Sequence, residues 1–216
     1  MILVGTSGHA SVLADAIEKQ NRYEIAGCIN SNRTDALTAF GYPILGDETR
    51  IPELHKQLGI FGAVIAIGDN WQRARMQDLI RQIAPLRFPA IIHPSAEIAR
   101  TSSIGEATVV LANAVMNSGA AAGRGCILNT ASSLDHDSRL HDFASLAPGA
   151  VVGGGTEIGQ FSAVCLGARI IHRRRIGEHT VIGAGAVILN DVPDHVVAYG
   201  IPGKVVRARL EGERYL

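Results

Sequence analysis

The chain has 216 residues, 47% hydrophobic and only 5% aromatic, and its 20 basic and 20 acidic side chains cancel. A balanced charge lacks the basic footprint of a general nucleic-acid or anionic-membrane binder, so neither partner is expected. Cys28, Cys126 and Cys165 are widely spaced and odd in number, which offers neither a disulfide framework nor a metal-ligand spacing and fits a reducing compartment. No apolar run is long enough to span a bilayer, and residues 1–5 lack the charged start of a signal peptide, so the chain reads as cytoplasmic without membrane insertion.

Residues 1–85 alternate strand and helix patterns. Ile2–Val4 is a short apolar strand, and Gly5-Thr6-Ser7-Gly8-His9 is a glycine-containing turn. Residues 10–19 have helical spacing, with Val12, Leu13, Ala16 and Ile17 on one face. Residues 24–29 read as a second strand, 41–45 as a turn and short strand, and 51–58 as a helix. Residues 63–67 form a third apolar run, closed by Gly68-Asp69-Asn70, and 71–83 read as a helix. Residues 88–92 lead out of this part. Such alternation predicts a small parallel sheet with helices on its faces, an α/β unit.

In such sheets ligands sit at the carboxyl ends of the strands, where the turn after the first strand can present a helix N-terminus to phosphate. Gly5-Thr6-Ser7-Gly8 lies there, with His9 at the start of the helix, and Gly68-Asp69-Asn70 ends the third strand on the same edge. A tight turn without ligand explains the first segment equally well, and a helix cap explains Asp69 or Asn70. The second strand ends Cys28-Ile29-Asn30-Ser31 with no acidic residue, which argues against a dinucleotide held by its ribose.

From Ile92 the pattern changes. Ile92, Ile98, Ile104, Val110, Met116, Ala122, Leu128, Leu134, Leu140, Leu146, Val152, Ile158, Val164, Ile170, Ile176, Ile182 and Ile188 stand six apart without a miss. Four places after each rung is a small or β-branched residue, from Ala96 to Val192, with Arg174 the one exception. Neither a helix nor a flat strand has a period of six; a solenoid of short strands and corners does. Three such hexads make one turn of about eighteen residues, a prism with a parallel sheet on each face and the rungs inside. Gly105, Gly153, Gly159, Gly177 and Gly183 directly follow rungs, as expected of corners that need positive φ or close backbone approach. No long loop interrupts residues 92–192.

One corner carries chemistry. Asp135-His136-Asp137 sets a histidine between two acids. A carboxylate beside an imidazole fixes its tautomer and raises its basicity, as a general base requires. A solvated corner histidine is the plain alternative. His141, His172 (before Arg173-Arg174-Arg175) and His179 lie in the same solenoid with weaker surroundings, His93 marks the junction and His195 the exit loop.

The motifs Val4-Gly5-Thr6-Ser7-Gly8-His9, Ala66-Ile67-Gly68-Asp69-Asn70, Ile92-His93-Pro94, Leu128-Asn129-Thr130, Asp135-His136-Asp137, Leu146-Ala147-Pro148-Gly149 and Gly200-Ile201-Pro202-Gly203-Lys204 follow one another in this order. In that order the chain resembles the hexapeptide-repeat sugar acetyltransferases of the sialic-acid O-acetyltransferase and bacillosamine-pathway type. The resemblance implies a Rossmann-like nucleotide-sugar-binding domain over residues 1–85. It implies a left-handed β-helix with a C-terminal tail over 86–216, and a homotrimer with acetyl-CoA in the groove between neighbouring β-helices. It makes His136 the base and Asp137 its support. Asn129 falls near the acceptor amine or the base, and Gly8, His9, Asn30, Ser31 and Gly68 on the nucleotide-sugar. Cofactor contacts fall near Ser145, Gly154, Leu166 and Ala184, and no metal is implied. The chain departs from the family where Asn30-Ser31 replaces an acidic pair that grips uracil, where Ser145 replaces a histidine, and where Gly203 replaces an alanine. The expected reaction is acetyl-CoA-dependent N-acetylation of a nucleotide-linked amino-deoxy sugar of the UDP-4-amino-4,6-dideoxy type in surface glycan synthesis. O-acetylation of a sugar is the alternative within the enzyme class, and a non-catalytic β-helix scaffold or ligand-binding protein is the alternative outside it.

Overall fold

The structure, a computed structural model, describes residues 1–31 and 36–215. The first part is built on three parallel strands in the order β2-β1-β5: β1 (Ile2–Val4), β2 (Gly27–Ile29) and β5 (Ala63–Ile65). Side chains along β1 alternate between two cores, Leu3 facing one and Ile2 and Val4 the other, as the period-two pleat requires. On one side helix α1 (Gly8–Gln20) covers the sheet with Ala10, Leu13, Ala14 and Ile17. On the other lie α2 (Ile51–Leu58) and α3 (Asn70–Ile83).

The elements deviate from expectation mainly at their ends. The second strand begins at Gly27, not residue 24, because the chain at Glu24 and Ala26 instead meets the N-terminus: Met1 N donates to Glu24 O (2.6 Å) and Ala26 N to Met1 O (2.8 Å). The expected short strand at 41–45 is the return arm of a hairpin, β3 (Thr38–Ala39) with β4 (Tyr42–Pro43). Helix α1 begins at Gly8 with Ser7 as N-cap, so Gly8 and His9 belong to its first turn. Asp69 caps α3 by accepting from Gln72 N at 2.9 Å.

The second part is a parallel β-solenoid. Seventeen two-residue strands, β6 (Ile91–Ile92) to β22 (Val187–Ile188), stack into three sheets, each strand paired with the one a full coil later. Face one carries the rungs Ile98, Met116, Leu134, Val152, Ile170 and Ile188; face two carries Ile104, Ala122, Leu140, Ile158 and Ile176; face three carries Ile92, Val110, Leu128, Leu146, Val164 and Ile182. The rungs fill one continuous core, and only the first three, Ile92, Ile98 and Ile104, are partly exposed, as the open end of a stack must be. Polar small residues are tolerated inside because they stitch coils together. Ser138 Oγ donates to Gly153 O (3.0 Å) and accepts from Thr156 N (3.1 Å), and Ser162 Oγ does the same with Gly177 O (2.6 Å) and Thr180 N (2.8 Å).

The corner glycines work by only one of the two expected means. Those following rungs lack positive φ, but a Cβ at Gly105 would lie 2.5 Å from the Gly123 carbonyl carbon, and one at Gly159 2.5 Å from Glu178 N. Positive φ falls two residues later, at every sixth position from Ala107 to Gly185, whether or not a glycine stands there. Asp137 is one of these, at φ 58°, a conformation that Asp adopts more readily than most residues.

The outward residues of face three, Ile91, Val109, Ile127, Ser145, Ala163 and Val181, are buried. Ile91, Val109 and Ile127 share a core with α1. A hairpin, β23 (Val196–Gly200) and β24 (Gly203–Ala208), extends this sheet. The tail then returns to the first part, where Gly212 lies against Trp71 and Tyr215 Oη donates to Gly68 O at 3.4 Å.

Candidate active site

His136 stands at the vertex between faces one and two, in the corner after Leu134. The coils place Ser118, Gly154 and His172 at the same vertex: Asp137 N bonds Ser118 O (3.0 Å), Gly155 N bonds His136 O (2.8 Å) and Arg173 N bonds Gly154 O (2.9 Å). Asp137 Oδ2 is 3.0 Å from His136 Nδ1. Asp135 Oδ1 accepts from the His136 backbone N (2.8 Å) and from Asn117 Nδ2 (2.7 Å), so the first acid braces the backbone while the second holds the ring. The hydrogen bond to Asp137, then the Asp135 charge, raises the His136 pKa above its ordinary 6.5. The Asn117 bond, then that of the His136 amide, lowers the pKa of Asp135.

With Nδ1–H given to Asp137, Nε2 is left as an acceptor. It lies directly over Gly154, where a Cβ would meet Nε2 itself and come within 2.7 Å of Cε1. A Cβ at Gly119, on the other side, would lie 2.6 Å from Asp137 Oδ1. The two glycines make room for the pair, and the ring remains 61% exposed with Nε2 free to take a proton.

A cleft of about 700 Å³ opens at the carboxyl edge of the small sheet, lined by Gly5, Ser7, Asn30, Ser31, Gly68 and, from α3, Arg75 among others. Three of the expected acceptor residues, Asn30, Ser31 and Gly68, meet there. Gly5 (φ 126°) lets the first turn pass close to the third strand, since a Cβ would lie 2.7 Å from Ala66 O. Gly8 and His9 do not line the cleft. His9 turns inward: its Nε2 is buried without a hydrogen-bond partner among the described residues, and burial, then the Arg73 charge, pushes its pKa down to about 4.

Arg73 gave no sign of itself in the sequence reading. It is 2% exposed, and its guanidinium donates to five oxygens: Ile67 O (3.0 Å), Gly68 O (2.9 Å), Asn70 Oδ1 (2.7 Å), Gly125 O (2.8 Å) and Phe143 O (3.1 Å). On α3 it shares a buried stripe with Asn70, Gln77 and Ile80, and a stripe so rich in polar residues is not marked by apolar periodicity.

The remaining expected residues are not gathered around His136 within one chain. Leu166 (61% exposed) and Ala184 stand at the vertex between faces three and one. Asn129 lies close to that vertex, its Oδ1 accepting from Thr130 N at 2.8 Å. Ser145 is buried on face three beside Tyr215. Gly154 alone shares the His136 vertex. Among the described residues no group of three or more His, Cys, Asp or Glu could hold a metal ion, and no helix is long and apolar enough to cross a membrane.

Comparison with known proteins assigns this architecture. The family described as the PglD N-terminal domain matches residues 1–80. A perosamine N-acetyltransferase from Caulobacter crescentus, solved with CoA and GDP-perosamine, is 32% identical, covers 95% of this chain and 96% of its own, and superposes with a TM-score of 0.91. The chain belongs to the β-helix sugar N-acetyltransferases with a PglD-type N-terminal domain. A second member, the acetyltransferase domain of PglB from Neisseria gonorrhoeae with acetyl coenzyme A, is 30% identical over 95% of this chain and 98% of its own, with a TM-score of 0.87. Among curated relatives, the serine acetyltransferase of Bacillus pumilus is 46% identical over 43 residues, 20% of each chain. That match therefore spans about a fifth of the relative's length.

Proposed function

We propose that the protein transfers the acetyl group of acetyl-CoA to the amino group of a nucleotide-linked amino-deoxy sugar. The observation that carries this is His136, with Nδ1 on Asp137 and Nε2 free above Gly154. The amine attacks the thioester carbonyl while Nε2 takes its proton, peptide N–H groups of the adjoining corner receive the oxyanion, and the tetrahedral intermediate expels the CoA thiolate. The family members solved with CoA, GDP-perosamine or acetyl coenzyme A support both substrates. The cleft at Gly5–Ser7, Asn30–Ser31 and Gly68 would take the nucleotide, with Arg75 at hand for the diphosphate. A non-catalytic β-helix would have no use for the imidazole–carboxylate pair.

The working form in this proposal is a homotrimer. His136 and Gly154 occupy one vertex of the prism and Leu166 and Ala184 another, so a second solenoid must lie alongside to bring both sets to one CoA. Exposed Val151 (39%), Leu166 (61%) and Leu189 (42%) supply apolar surface for that contact. The use of acetyl-CoA and a nucleotide-sugar supports a cytoplasmic reaction in this reading. The test is a thermal-shift screen with CoA and with GDP- and UDP-linked amino sugars. Ligands that bind only the folded state raise the melting temperature, so CoA and at least one nucleotide-sugar should each do so. No shift with any of them contradicts the reading.

A further inference from the structure

The first turn of α3 is pegged into the vertex between faces two and three. Asn70 Nδ2 donates to Phe161 O (3.3 Å) and Ser162 O (3.0 Å), and Arg73 to Gly125 O (2.8 Å) and Phe143 O (3.1 Å). These oxygens belong to successive coils, and two helix residues three apart, on one face, span them. Arg73 Nη2 also donates to Asn70 Oδ1, which locks the two side chains to each other.

The other end of the same guanidinium holds the acceptor cleft. Nη1 donates to the carbonyls of Ile67 and Gly68, the segment that closes the third strand and lines the cleft. Tyr215 of the returning tail adds a second donor to Gly68 O. Phe143 lies in the coil that carries His136. One rigid, planar group therefore touches both the cleft wall and the catalytic coil.

A buried arginine with no carboxylate bonded to it among the described residues is a costly joint. Well-packed apolar residues often serve a purely mechanical contact equally well. What the guanidinium adds is direction, since its donors fix five oxygens at set angles. On the basis of the acetyl-transfer reading above, we infer that Arg73, braced by Asn70, is a positioning residue that sets the acceptor cleft in register with the His136 coil and so governs the rate of transfer rather than the binding of either substrate.

The test compares the wild type, Arg73→Lys and Asn70→Ala in steady-state transfer at saturating substrates. Calorimetric titrations with CoA and with the accepted nucleotide run alongside, all well below the melting temperature. Misplacing a bound reactant by about an ångström costs roughly a hundredfold, so kcat should fall tenfold to a hundredfold in Arg73→Lys while both dissociation constants stay within about threefold. Should the lysine variant fail to fold, Asn70→Ala, which keeps the guanidinium, should lose roughly tenfold in kcat with binding intact. Unchanged kcat in the folded variants, or a loss confined to nucleotide affinity, overturns the inference. Absence of transfer by the wild type itself contradicts the acetyltransferase reading instead, and this inference with it.

Discussion

A histidine serves as a base when one nitrogen is engaged and the other is free, and the Asp137–His136–Gly154 column arranges both. The raised pKa also sets a pH limit. Below it the ring is imidazolium and cannot take a proton, so transfer should rise as pH climbs through that value. Asp137→Asn removes the largest cause of the rise. The acid limb of the kcat profile should therefore move to lower pH, while kcat itself falls by roughly tenfold or more because the tautomer is no longer held. A limb that stays in place would show that another group titrates there. The imidazole–carboxylate pair was legible because Asp135, His136 and Asp137 are neighbours in the chain. Its contact with Gly154 is one coil away, and only the stacking register reveals it. Arg73 was hidden for the opposite reason: an arginine on a helix reads as solvated until the face it shares with Ile80 is known to be covered.

Among the elements, the ladder of sixes foretold the solenoid strand for strand, since each rung is the second residue of a two-residue strand. It misplaced the origin of the sharp corners. The six-residue geometry itself imposes the left-handed residue, and glycine is needed where backbones nearly touch, as at Gly105 and Gly159, or where a side chain of the neighbouring coil lies close, as at Gly154. In the first part the ends of elements were misread because they are set by contacts from elsewhere, such as Met1 on Glu24. Helix α1 makes a measurable statement through His9. Its folded pKa of about 4 lies below the ordinary 6.5, so the unfolded chain binds more protons in between. Stability is complete above about 6.5 and is lost as pH falls toward 4, by roughly 2 kcal/mol at about pH 5. Denaturant unfolding near neutrality and near pH 5 should show this loss, and His9→Gln should remove most of it. An equal loss in the variant would place the acid sensitivity elsewhere.

Across the whole molecule, the prism distributes its roles by vertex. The α/β unit covers face three and pegs the vertex between faces two and three. His136 holds the vertex between one and two, and Leu166 and Ala184 the third. The solenoid strands follow one another without an inserted loop, and the cleft lies in the first eighty or so residues, the part matched by the PglD N-terminal domain. What the sequence could not show is which vertices stay open, because that depends on which sheet the first part covers. The most direct measurement is acetyl transfer, followed by thiol release and by the mass of the product, with acetyl-CoA and GDP- or UDP-linked amino sugars. The wild type should acetylate the amine of at least one of them. His136→Ala, of unchanged mass by light scattering, should lose roughly a hundredfold or more of the rate. Equal turnover by the two proteins would contradict the account.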